Sequence, residues 1–470
     1  MNQLMRIVLV VSLICFGTAS FVLAADSPYL QVIRDKGVTI EKDGNGYLYN
    51  RPFCSEVKPN GPLAGKKVAL VVGADFSDWQ AYYLVSYIGE FGGKVQFVMD
   101  NNHLWKSARP MNGIQTEPLG AWGLSLTGGF NGQGMNCGRA LSPAVMKKGE
   151  GLAKDYPVAN PADYDAMIVL GNIGGDVMYP DDVAQGFIKA VADRGVPVGA
   201  IAGGILPLIK LKIVNGKNVT GDKSVDYMLK RIANFKGGDV VTDGNLITAK
   251  DTYATPALLR SLCKVFDPKF VDKDKGVLKG KRVMAIVTND FEDIELVAPV
   301  MEFMYRGASV TVALFDSEYI PRTASWLSDV RSGQFGVSIP FQEIDKKDYK
   351  IVQGKNVKMS DFDALWTPGG LSPWQMIETV NPIQFIKNAY KAGKIVGVIC
   401  HGPVAAANAD IVKGKKVTGW LIAEDPVTIM GGTYNFGWAA TWDGGNFVSG
   451  RLPPNCAEFV DMLTAALLAK

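Results

Sequence analysis

The sequence predicts an α/β protein: two α/β sandwich domains in tandem, each with a mostly parallel sheet covered by helices on both faces. Three observations carry this prediction. At 470 residues the chain exceeds what one ordinary core holds. Short apolar runs alternate with helical stretches throughout, as βαβ units require. And the chain repeats itself at domain length. GKKVALVV at 65–72 returns as GKRVMAIV at 280–287, and DFSDWQ at 75–80 as DFEDIE at 290–295. GKVQFV at 93–98 returns as ASVTVA at 308–313, DYDAMIV at 163–169 as DFDALWT at 361–367, and VGAIAGG at 198–204 as VGVICHG at 396–402. Then IVNGKNVTG at 213–221 returns as IVKGKKVTG at 411–419, and NLIT at 245–248 meets NFVS at 446–449.

Taken in order, residues 1–24 read as a secretory signal. Arg6 supplies the positive end, Ile7 to Phe16 the apolar core, and Val22-Leu23-Ala24 a small-residue cleavage site, with the cut after Ala24. This predicts a periplasmic or secreted protein. A retained anchor is the alternative, since residues 7–24 carry no charge, but Gly17-Thr18-Ala19-Ser20 weakens that stretch as a span. Residues 25–64 are a mixed, polar lead with turn signals at 43–46 and 59–62, expected to pack as a tail on the first domain. The first domain covers 65–270 and the second 280–470, joined by a Lys/Asp-rich stretch. The repeat offset falls from 215 at Gly65/Gly280 to 198 at Ala202/Cys400. The first copy therefore carries extra residues, assigned to the Gly-rich stretch 126–148.

Composition excludes several function classes. The formal net charge is +3, or +2 without Arg6, which gives no electrostatic case for nucleic acid or an anionic membrane. No G-x-G-x-x-G follows a strand and no phosphate-binding P-loop occurs, so no cofactor is expected. With only His103 and His401 in the chain, a His-based metal site is not expected either. His103, beside Leu104-Trp105, reads as structural. After cleavage Cys54, Cys137, Cys263, Cys400 and Cys456 remain, an odd number that leaves at least one thiol unpaired. Cys400 is the expected free one; the other four either pair or stay free and buried.

The chemistry gathers at Cys400. Ile395 to Ile399 reads as a buried strand, and Gly402-Pro403 followed by Val404-Ala405-Ala406-Ala407 as a turn opening a helix. A thiol at such an elbow is lifted clear of the sheet, and the helix N-terminus favours its thiolate.

Over residues 280–468 the second copy resembles the DJ-1/PfpI family, a branch of the class I glutamine-amidotransferase-like superfamily. The matching residues are Asp290-Phe291-Glu292-Asp293-Ile294-Glu295-Leu296, the strand ending in Pro368-Gly369-Gly370, Cys400-His401-Gly402-Pro403, Val417-Thr418-Gly419-Trp420 and Ser449-Gly450-Arg451. The first copy resembles the family more distantly. The resemblance implies a flavodoxin-like, amidotransferase-like sandwich. It implies Cys400 as nucleophile, Glu295 as the carboxyl bonded to it and itself largely protonated, and the Gly370 and His401 amides as an oxyanion hole. It implies His401 as the base, with no clear match for an acid orienting it. Glu292 is left as the exposed first-turn glutamate. In the first copy Ala202, Gly203 and Gln80 stand at the thiol, imidazole and carboxyl positions, and Leu170-Gly171-Asn172 replaces Pro-Gly-Gly. That copy should be catalytically silent and supply, within one chain, a surface that family members bury in a homodimer.

The expected activity is a Cys-dependent hydrolase or lyase acting on a carbonyl of a peptide, or of a glyoxal or glycated group. A redox or stress-response protein with an oxidisable Cys400, or a non-catalytic binding module, remains open. So does a homo-oligomer.

Overall fold

The computed structural model describes residues 27–50, 58, 60–73, 76–99, 140–148, 156–171, 173–316, 330–334, 338–340, 344–345, 349–379 and 381–470. The signal, Cys54, His103, Cys137, Asp75, Asn172 and most of 126–148 lie outside them. Among the described residues no helix is long and apolar enough to cross a membrane.

Each copy builds its own sheet. The first runs Val240–Asp243, Leu246–Ala249, Val198–Ile201, Ala166–Val169, Lys67–Val72, Lys94–Met99, Ala140–Val145. All neighbours are parallel except the first hairpin. The second sheet places Phe447–Gly450, Ile395–Ile399, Ala364–Thr367, Arg282–Val287, Ser309–Leu314 and Tyr349–Gln353 side by side, all parallel. Trp438–Trp442 joins it antiparallel to Phe447–Gly450. The runs of Val, Ile, Leu and Ala in the inner strands of both sheets are buried on both faces, as parallel sheets covered by helices demand. The predicted fold class is the one observed.

The lead segment corrects its expected place. Thr39–Asp43 and Gly46–Asn50 form a hairpin whose second strand pairs antiparallel with Trp438–Trp442, so it extends the second copy's sheet. Tyr47 stacks on Trp442 with ring centroids 4.8 Å apart. The helix Tyr29–Asp35 lies on the helix Cys456–Leu468 of the second copy. The last stretch touches the first copy, through the Lys58 amide to Gly89 O and the Leu63 amide to Phe91 O. The physical reason is an unpaired edge: Trp438–Trp442 offers a free row of backbone groups, and the hairpin covers it.

The two copies meet through equivalent helices. Asp78–Glu90, which follows the first strand of copy one, packs against Asp293–Tyr305, which follows the first strand of copy two. One apolar cluster runs through both. At its margin, charges from five segments are paired. Arg306 Nη2 donates to Asp461 Oδ1 at 2.7 Å, Arg260 Nη2 to Glu302 Oε1 at 2.6 Å, and Lys36 Nζ to Asp274 Oδ2 at 3.1 Å.

Candidate active site

The elbow is where sequence and backbone coincide. Cys400 follows the strand Ile395–Ile399 and precedes the helix Gly402–Asn408, and its φ is +58°. A side chain holds that conformation only where packing over-determines it. The turn points the sulfur at the loop after Ala364–Thr367, where Gly369 and Gly370 leave room.

That room is tightly bounded. A β-carbon on Gly369 would lie 2.6 Å from Cys400 Cβ, 2.8 Å from Glu295 Oε2 and 2.8 Å from the His401 amide nitrogen. Thiol, carboxyl and amide thus surround one point, and only glycine fits there. Gly370 has φ +69°, and a β-carbon on it would lie 2.7 Å from the Glu292 amide. Its own amide donates to the Cys400 sulfur.

Glu295 comes from the first turn of Asp293–Tyr305 and is fully buried. Its Oε2 accepts from the Gly369 amide at 2.6 Å, its Oε1 is buried without a hydrogen-bond partner, and the carboxyl faces the Cys400 sulfur. Burial pushes this carboxyl up to about 8, against the pull of the Gly369 amide and the sulfur. Its backbone is pinned too. Pro299 lacks the N–H that would bond Glu295 O, and Trp366 Nε1 donates to that carbonyl instead, at 3.2 Å. Trp366 and Gly369 were missed as site residues; a proline four residues after the key glutamate was the available signal.

Glu292 is a correction. It is not an exposed first-turn glutamate but buried, and burial followed by the charges of Glu295 and Asp293 raises its carboxyl well above the usual range. The loop carrying Gly370 covers it, as the Glu292 amide bonded to Gly369 O at 3.2 Å shows.

His401 presents Nδ1 to the Cys400 sulfur at 3.3 Å. Burial holds its imidazole down at about 4, so it is neutral at pH 7 and free to accept a proton. Its ring stacks on Trp420, 6.2 Å away with an interplanar angle of 30°, and Phe436 meets Trp420 edge-on. Trp438 is half-buried and accepts from Thr418 Oγ1 through its carbonyl at 2.8 Å. Among the described residues no carboxylate hydrogen-bonds His401.

The sulfur itself is less open than an elbow suggests. Cys400 is 5% exposed, and burial raises its thiol well above the usual range, with the charges of Glu295 and Glu292 adding to the rise. The expectation of a thiolate favoured by the helix terminus is therefore corrected: burial outweighs it. Glu295, pushed up to about 8, is largely uncharged at neutral pH, so burial is the leading cause of the rise there. Cys263 and Cys456 are buried as well.

The family model described as the DJ-1/PfpI family matches residues 66–265 and again 281–466. "Protein DJ-1 homolog D" of Arabidopsis thaliana is 24% identical over 316 residues, 65% of this chain and 78% of that one. "Deglycase PfpI" of Pyrococcus furiosus is 28% identical over 186 residues, 39% of this chain and 99% of that one. "Protein/nucleic acid deglycase 2" of Escherichia coli is 30% identical over 138 residues, 29% of this chain and 70% of that one.

Proposed function

Because the chain belongs to the DJ-1/PfpI family, and carries its fold twice, we propose that it is an exported Cys-dependent hydrolase or lyase acting on a carbonyl substrate through Cys400. The convergence of thiol, carboxyl and amide on Gly369 carries this reading. The relatives named deglycases support a carbonyl compound or glycated group, and the closed surrounding of the sulfur favours a small one.

The residues take these roles. His401 Nδ1 accepts the thiol proton as the sulfur bonds to the carbonyl carbon. The carbonyl π pair moves onto oxygen, which the Gly370 and His401 amides hold. Protonated Glu295 donates to the sulfur while it carries charge, and the Gly370 N–H, which faces the sulfur at rest, passes to the oxygen as the adduct forms. The imidazolium then returns the proton to the oxygen, so the addition is balanced. Export rests on the charge and apolar pattern of residues 1–24, and N-terminal sequencing of the mature protein would have to begin at Ala25.

The test is Cys400→Ala, assayed on methylglyoxal, on glycated substrate and on peptides. Activity should fall to background, a loss of about 10³-fold or more. Full activity in that variant ends the proposal. Activity on peptides alone, lost with Cys400, would return the choice to a peptidase.

A further inference from the structure

The first copy carries Ala202 at its elbow in place of a thiol, yet it touches the helix that carries Glu295. Resting on the proposed role of Glu295, we infer that Tyr83 and Arg260 of the first copy are positioning residues for that carboxyl, acting through Glu302.

Glu302 lies seven residues after Glu295 on the helix Asp293–Tyr305, two turns on and on the same face, about 10 Å along the axis. It is fully buried, so its carboxylate must be satisfied where it stands. Oε2 accepts from Tyr83 OH at 2.6 Å, and Oε1 from Arg260 Nη2 at 2.6 Å. The third partner is Arg306 Nε of the same helix, at 3.0 Å. Arg260 Nη1 also donates to Tyr83 OH. Both partners that are foreign to the helix belong to the first copy.

The helix needs such anchors. Pro299 removes one rung of its ladder between Glu295 and Glu302. The near half is then held by Trp366 Nε1 on Glu295 O, and the far half by the first copy's grip on Glu302.

The grip is fitted and not a generic dimer contact. By the offset of 215, Tyr83 corresponds to Ala298 and Glu302 to Tyr87. Were two second copies to pair through this face, an alanine would stand where Tyr83 stands, and each Glu302 would lose its hydroxyl donor. Tyr87 instead stacks on Tyr83, centroids 4.6 Å apart and 11° from parallel, stiffening the donor. The degenerate copy is thus complementary to the second copy in a way the second copy is not to itself.

The readout is the pH profile of Cys400 alkylation by iodoacetamide in the full chain, with the label mapped by mass. The groups that titrate around the sulfur are Glu292 and Glu295 from the helix start, His401 from the elbow and Tyr434 from the short strand Thr433–Tyr434. Tyr83→Phe removes one oxygen and keeps the packing. If Glu295 drifts from the sulfur, the carboxyl no longer holds the thiol up, and the midpoint should fall by about 0.5 to 1 pH unit. Glu302→Gln, which keeps the shape and removes the charge, should move it the same way. In a Glu295→Gln background Tyr83→Phe should add nothing. Unmoved midpoints in both single variants overturn the inference, and so does an equal shift in the Glu295→Gln background, because loosening would then act elsewhere. The functional proposal fails separately, on an active Cys400→Ala.

Discussion

The two elbows have nearly the same backbone and opposite chemistry. Ala202 has φ +50° where Cys400 has +58°. A β-carbon on Gly171 would lie 3.1 Å from Ala202 Cβ, and one on Gly369 2.6 Å from Cys400 Cβ. The Gly171 amide donates to Gln80 Oε1 at 2.8 Å, as the Gly369 amide does to Glu295 Oε2 at 2.6 Å. Even the return bond is kept, from the Ser77 amide to Gly171 O at 3.1 Å and from the Glu292 amide to Gly369 O at 3.2 Å. What differs is the other end of the side chain. Gln80 Nε2 donates to Thr252 Oγ1 at 3.0 Å, whereas the Glu295 carboxyl meets the sulfur. The glutamine preserves the structural half of the glutamate's work and discards the ionisable half. The lesson is that the strained turn belongs to the fold, held by its glycine contact and its hydrogen bonds. The reactive groups are a separate layer set upon it.

The sharpest way to break the comparison is to give the second copy the first copy's amide. Glu295→Gln keeps an acceptor for the Gly369 amide and loses the exchangeable proton. The fold should survive, since Gln80 already fills this role. Turnover should fall about 10²- to 10⁴-fold, the range for a positioned proton-transfer group. Steady-state kinetics on the substrate that Cys400→Ala fails to turn over would measure it. A variant within a few fold of the parent would make Glu295 a structural residue like Gln80.

A smaller effect separates the copies by pH, since His401 faces Gly203 in the repeat. Burial holds the folded imidazole at about 4, below its ordinary 6.5. The unfolded chain binds the extra proton first, so this contribution to stability is present above pH 6.5 and lost as pH falls toward 4. Glu295 runs the other way. Raised to about 8 from 4.5, its contribution is present below 4.5 and lost as pH rises through 8. Between 4.5 and 6.5 the two slopes oppose. His401→Gln removes one of them, so its stability relative to the parent should improve by on the order of 2 kcal/mol from pH 7 down to pH 4.5. Urea midpoints across that range test it; a constant difference would show the ring to be exposed to water.

What could be read from the chain follows from range. The elbow strand, its turn and its helix start are adjacent, so local residue types specify them. The repeat made the parallel sheets legible for the same reason. The lead hairpin was not legible, because Tyr47 finds Trp442 in the other domain and nothing near Tyr47 says so. Glu292 was misplaced because a charged residue in a first helical turn ordinarily faces water, and only the covering Gly370 loop buries it. The grip on Glu302 needs Tyr83, Arg260 and Arg306 from three helices, a coincidence that no window of sequence contains.

The smallest expected effect is the most direct probe of the layering. Ala202→Cys, placed in a Cys400→Ala chain, puts a thiol on the vacant elbow with its backbone already at φ +50°. It should gain no measurable turnover. Gln80 cannot hold or release a proton, and Gly203 brings no imidazole to take the thiol's. The new thiol should label with the pH profile of an ordinary cysteine, near pH 8.5, displaced upward by whatever burial it meets. Adding Gln80→Glu should leave turnover at background while changing that profile, because the carboxyl would stand between the Gly171 amide and the sulfur as Glu295 does between Gly369 and Cys400. Turnover by Ala202→Cys alone would mean that the strained turn and its amides suffice for catalysis. The glutamate and histidine of the second copy would then be refinements of a site the backbone already makes.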